Sequence, residues 1–117
     1  MATVAPAVTT ISTDNNVRQV VWTLTQADSD GAPIEFNAFR DRCVQIAGVF
    51  DSGTVVLQGS NNAGVNWHTL NDPTGTDISC TIASMFQVLE SPKQVRPVVT
   101  GEGATAAIVI TLILAKA

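Results

Sequence analysis

Residues 54–70, TVVLQGSNNAGVNWHTL, spell out a β-hairpin with a polar tip. Val55 and Leu57 fall on one side of an extended segment and Val56 and Gln58 on the other, the period-two alternation of a half-buried strand. Gly59 stops it. Ser60, Asn61, Asn62, Ala63 and Gly64 combine side chains that hydrogen-bond their own backbone with residues that accept positive φ, so the chain reverses there at little steric cost. A second strand then places Val65, Trp67 and Thr69 on one side and Asn66, His68 and Leu70 on the other, with Trp67 as the large apolar anchor.

The alternation continues on either side of the hairpin. Residues 17–25, VRQVVWTLT, are β-branched and aromatic and read as a strand. Asp28, Asp30 and Gly31 mark a turn within 26–33. Residues 34–39 and 43–50 read as two further extended segments divided by the charged break Arg40-Asp41-Arg42, and Gly48 marks a bulge or a close approach of two backbones. Beyond a second polar turn at 71–76 come short strands at 78–82, 86–89 and 95–100, with a single helical turn at 83–85. Pro97 has no N–H to donate and is expected at an edge or a bulge. Arg96, if buried against Glu90, would pin the register of the last strands. The final strand, 106–115, is apolar on both faces: Ile108, Ile110, Leu112 and Leu114 on one, Ala107, Val109, Ile113 and Ala115 on the other, with only Thr111 polar. Such a strand must be covered on both sides. Strands and turns recurring every eight to twelve residues predict an all-β fold, an antiparallel β-sandwich of jelly-roll-like form spanning 17–117. Residues 1–16 have alternating Val4, Val8 and Ile11 but no turn or helix signals. They read either as a frayed terminus or as an extended N-terminal arm lying on a neighbouring subunit.

At 117 residues the chain is one domain, large enough to bury about two thirds of its extended-chain surface without disulfides or metal. Charged residues make up only 14% of it, against ~25% in ordinary soluble domains, and the mean hydropathy is +0.25. No run reaches the ~20 apolar residues of a membrane helix, so a membrane partner is not expected. The apolar surplus is best covered by a subunit interface, and Val4, Val8, Ile11, Val109 and Ile113 are the candidate contact residues. Six basic residues against ten acidic ones leave a net charge of -4, with no basic face for nucleic acid. The N-terminus lacks the basic start and long apolar run of a signal peptide, which predicts synthesis in a cytoplasm. Reducing conditions there favour two buried thiols over a bridge for Cys43 and Cys80.

Chemistry is sparse. His68 is the only histidine and stands beside Trp67 with no serine or cysteine motif, so no catalytic residue is assigned and an enzyme is not expected. Asp28-Ser29-Asp30-Gly31 lacks the other oxygen ligands of a calcium loop, and no other spacing suggests a metal or a cofactor. Trp22 and Trp67 suit a packed core; an exposed Trp67 would instead offer a stacking surface for a sugar ring.

Two stretches together, VVLQGSNNAGVNWHTLNDPTG (55–75) and VLESPKQVRPVVTGEGATAAIVITLIL (88–114), resemble the small capsid decoration, or cement, proteins of tailed bacteriophages. The residues that carry the likeness are Gly59, Ser60, Asn61, Gly64 and Trp67, then Glu90, Val95, Arg96, Pro97, Val98 and Thr100 and the aliphatic last strand. A Gly-Ser-Asn turn followed by Trp also occurs in carbohydrate-binding sandwiches. The resemblance implies a structural virion protein that trimerises, binds the major capsid protein on the capsid exterior and stabilises the shell, after synthesis in the bacterial host cytoplasm. The alternatives are a carbohydrate-binding module, a tail-associated adhesin or another accessory virion protein.

Overall fold

The computed structural model describes residues 2–11, 16–26, 28–36 and 38–116, and among them there are strands and turns but no helix. Strands β1 (Ala2–Val4), β4 (Asp28–Gly31), β6 (Thr54–Ser60), β7 (His68–Thr69), β8 (Ser79–Cys80) and β10 (Gln94–Thr100) form one sheet. Strands β2 (Ala7–Thr10), β3 (Val17–Thr25), β5 (Asp41–Val49), β9 (Ser84–Gln87) and β11 (Ala107–Ala115) form the other. The first runs β1-β4-β10-β6-β7 with β8 also on β6, and the second runs β2-β3-β11-β5-β9. Every pairing is antiparallel except β1 with β4. The result is the expected β-sandwich.

Alternation explains where the core sits. Ile108, Ile110, Leu112 and Leu114 of β11 are fully buried, and so are Val20, Trp22 and Leu24 of β3 and Val44 and Ile46 of β5 beside them. Val55 and Leu57 of β6 and Val95 and Val99 of β10 belong to the same core. Trp22 buries a polar atom as well, and its Nε1 donates to the Ala32 carbonyl at 2.9 Å, so the indole N–H is paired. Gly48, with φ +107, lies opposite Ile108 at a place where an added Cβ would run into the Ala107 carbonyl oxygen. It is thus the close backbone approach and not a free choice of residue.

Several expectations are corrected. Residues 34–39 hold one bridge, Ile34 with Val95, in place of a strand. Phe36 and Phe39 turn inward instead and meet edge to face, with centroids 5.8 Å apart. The buried Arg42 guanidinium holds that loop, donating from Nε to the Phe39 carbonyl (2.9 Å) and from Nη2 to that of Phe36 (3.2 Å). Asp28–Gly31 is a strand and not a turn, because β1 pairs with it on one side and Val98 of β10 on the other. The helical turn at 83–85 gives way to β9, which pairs with β5, and the strand at 78–82 shrinks to β8. The hairpin's return strand is only His68–Thr69; Val65 and Trp67 lie in the preceding loop, and Val65 is 77% exposed. Pro97 sits within β10, a central strand. Its partner Leu57 bonds away from it, to Ile78 and Leu70, so the nitrogen of Pro97 faces β4 in the gap between the Val98 and Ile34 pairings. The N-terminal arm is extended, with β1 and β2 on the edges of the chain's own two sheets. Its residues 1 and 12–15 lie outside the described residues, as do residues 27, 37 and 117.

Two carboxylates staple loops together. Asp51 Oδ2 accepts from the Thr105 N–H (2.9 Å) and hydroxyl (2.8 Å), and these bonds, the backbone one foremost, hold its carboxyl below the usual carboxylate range. Asp72 Oδ1 accepts from the Thr74 hydroxyl (2.6 Å) and from the N–H groups of Thr74 and Thr76, and the hydroxyl bond foremost lowers it likewise. A carboxyl depressed in the folded state favours folding above its unfolded pKa and loses that contribution as pH falls through the folded value. Thermal melts should therefore show a midpoint that drops as pH falls below about 4, with a shallower drop in Asp51→Asn; identical pH profiles would contradict the assignment. Gly48→Ala should lower stability by roughly 1–3 kcal/mol in denaturant titration, and an unchanged midpoint would refute the close approach.

Candidate functional site

The sandwich presents two outward sheet faces of opposite character. On the five-stranded sheet, Ile108, Ile110, Leu112 and Leu114 point inward, so Val109, Thr111 and Ile113 point out. Their register partners face the same way: Thr23, Val21 and Gln19 from β3, and Ala47, Gln45 and Cys43 from β5. Ala7 and Thr9 of β2 and Met85 and Gln87 of β9 extend the rows to both edges. Among the described residues of this face Asp41, at one corner, is the only charged one. Met85 is 63% and Val49 53% exposed. A shallow hollow of about 290 Å³ lies at the Asp41 corner, lined by Asp41, Arg42, Cys43, Gln87, Ile113 and Ala115. A face with a single charge at its corner, built on a central strand, suits covering by another protein surface.

The six-stranded sheet is finished differently. Arg96 of β10 donates from Nη1 to Asp30 Oδ2 at 3.0 Å and from Nε to Gln58 Oε1 at 3.1 Å, while Thr3 Oγ1 donates to Asp30 Oδ1 at 2.7 Å. Four strands, β1, β4, β10 and β6, are thus tied side chain to side chain. The guanidinium also lies over the Trp67 ring, 4.1 Å from its centroid. Arg96 therefore pairs with Asp30 and not with Glu90; the Glu90 carboxylate accepts from the Asn71 N–H instead. The cause is strand order, which sets β4 beside β10.

The residues singled out in the sequence do not form one patch. Val109 and Ile113 share the outward face of β11. Val8 pairs with the buried Val20, so it points to the inner side at the sheet's edge, 48% exposed, and Ile11 is exposed just beyond β2. Val4 packs against the chain's own core. Trp67 is half-buried, with one ring face taken by Arg96, which removes that face from sugar stacking. His68 is exposed, in the short return strand opposite Gly59. Cys43 and Cys80 are free thiols, and burial pushes the Cys80 thiol up. Among the described residues no group of three or more His, Cys, Asp or Glu side chains could hold a metal ion. No described helix is long and apolar enough to cross a membrane.

One feature escaped the sequence. A polar cleft of about 520 Å³ opens between the hairpin tip, with Asn61, Asn62, Asn66 and His68, and the segment Glu90-Ser91-Pro92. Its signal was the density of asparagines, which turn chemistry alone accounts for in a linear reading.

Neither a family model nor a curated protein matches this chain. Its fold does match a solved structure, the SPBc2 prophage-derived protein YomS, with a TM-score of 0.58 at 17% identity, over 84% of this chain and 93% of that one. The β-sandwich described above is thus a fold that a prophage-derived protein also has.

Proposed function

We propose that this chain is a structural phage protein that binds the outside of the capsid as a homotrimer and stabilises the shell. The observation that carries the reading is the outward face of the five-stranded sheet, charged only at its Asp41 corner among the described residues. Strands at ~4.8 Å spacing and ~3.4 Å rise give that face roughly 600 Å², of the order of the ~800 Å² per partner of a stable interface. Three such faces around an axis would share the apolar surface that one copy leaves uncovered, with Val109 and Ile113 near the seam. The prophage-derived neighbour of the same fold supports a phage origin. The sequence likeness to cement proteins supports the position on the head.

In this role the protein acts by binding and not by catalysis. A trimer engaging the major capsid protein at several points converts weak contacts into tight holding through effective concentration. The shell gains stability to the extent that the trimer prefers its expanded form. Contacts made by few charges are also insensitive to salt. The acidic balance of the chain disfavours nucleic acid as a partner.

The test mixes the purified protein with expanded, undecorated heads of the parent phage and pellets them. The protein should co-sediment in saturable amount, and Ile113→Lys, whose side chain lies outside the core, should keep the parent's circular dichroism yet lose co-sedimentation. Absence of the parent protein from the pellet, or equal binding by the variant, would contradict the proposal.

A further inference from the structure

The polar cleft between the hairpin tip and residues 90–92 lies at the end of β6 and β7, away from Val109 and Ile113 of the five-stranded sheet. Its two walls are brought together by Gly59 of β6. A Cβ there would collide with the Pro92 ring and come within 2.7 Å of Leu70 Cδ2, so only glycine lets the 90–92 segment lie down against the hairpin. Leu70 and Pro92, both buried, give the cleft an apolar floor.

The hydrogen bonds fix which polar atom of each lining side chain is already engaged. Asn61 Oδ1 accepts from the Lys93 N–H at 2.8 Å, and Asn62 Oδ1 accepts from the Asn66 N–H at 3.0 Å and from the Ser60 hydroxyl at 2.9 Å. A backbone N–H can only donate, so in both amides the oxygen is the tied atom and the NH2 group is left over. Across the cleft, Glu90 Oε1 accepts from the Asn71 N–H at 2.8 Å, which anchors the carboxylate and leaves Oε2 without a partner among the described residues. Two oriented donors thus stand opposite one oriented acceptor above an apolar floor. Adjacent hydroxyls on a ring, each both donor and acceptor and carried on a C–H face, match that pattern, and the volume lies within the ~300–1,000 Å³ of small-molecule sites. The Glu90 carboxylate disfavours phosphates and acidic sugars.

We infer that this cleft binds a neutral saccharide unit through Asn61, Asn62 and Glu90. The ring would stand over Leu70 and Pro92, and Trp67, held under Arg96, would take no part. The experiment titrates the 15N-labelled full chain with free glucose, galactose, N-acetylglucosamine and rhamnose into the tens of millimolar, following backbone amides by NMR. At least one sugar should shift the amides of 59–62, 66–70 and 90–93 saturably. Asn61→Asp keeps the acceptor for Lys93 but reverses the outward group, and Glu90→Gln keeps the acceptor for Asn71 but removes the charge; each should weaken binding about tenfold or more with the remaining spectrum unchanged. Trp67→Phe should bind as the parent does. No saturable shift with any of the four sugars, or binding unaltered by both Asn61→Asp and Glu90→Gln, would overturn the inference, as would shifts that disappear only in Trp67→Phe. Oligomer mass and capsid binding are not read in this assay, so its failure leaves the capsid proposal standing, and the converse holds.

Discussion

Strand β11 is hydrogen-bonded along both edges, to β3 and to β5, and apolar on both faces, and this combination governs the whole molecule. Its inward side chains find a complete partner in the opposing sheet: Ile108, Ile110, Leu112 and Leu114 are all excluded from water. At roughly 1.5–3 kcal/mol for each such burial, this row and the Trp22 row beside it account for a large part of what opposes chain entropy. The outward side chains of the same strand have no second layer among the described residues. The accessible surface of 5838 Å² is close to the ~6,100 Å² that scaling gives a monomer of this mass, so the single chain is as compact as a monomer of its size. What remains is a local imbalance, one neutral face among polar ones.

The opposite sheet shows what a finished outer face looks like in this sequence. Arg96, Asp30, Gln58, Thr3 and Trp67 saturate one another across four strands and the hairpin loop. The partly buried ion pair is one bond of several, and the forked guanidinium ties β4 and β6 to β10 side chain to side chain and covers one face of Trp67. The Arg96–Asp30 pair is thus built into one outer face, while the other carries only Asp41 at its corner among the described residues. That asymmetry, and not total hydrophobicity, is the physical basis for expecting a covering surface.

Strands whose pattern was strong were legible. β3, β5, β6, β10 and β11 follow from alternation because each buries one face and pairs along its length. Asp28–Gly31 was illegible because its composition is that of a turn, and only the tertiary pairing with β1 and β10 makes it a strand. Residues 34–39 misled in the other direction: their aromatic content serves the loop packed on Arg42 and not a ladder. The split of β11 into core and outward faces was readable, but the neutrality of the surrounding face was not, since it depends on which strands flank β11. The cleft was hidden for a similar reason. The orientation of the Asn61 amide is set by Lys93, 32 residues further along the chain.

The account turns on whether the uncovered face of β11 is shared among copies, and the mass of the purified chain in solution addresses this most directly. Sedimentation equilibrium over a wide concentration range should give three times the 12.3 kDa of one chain, with dissociation only on dilution. A single species of 12.3 kDa persisting to the highest concentration would contradict it.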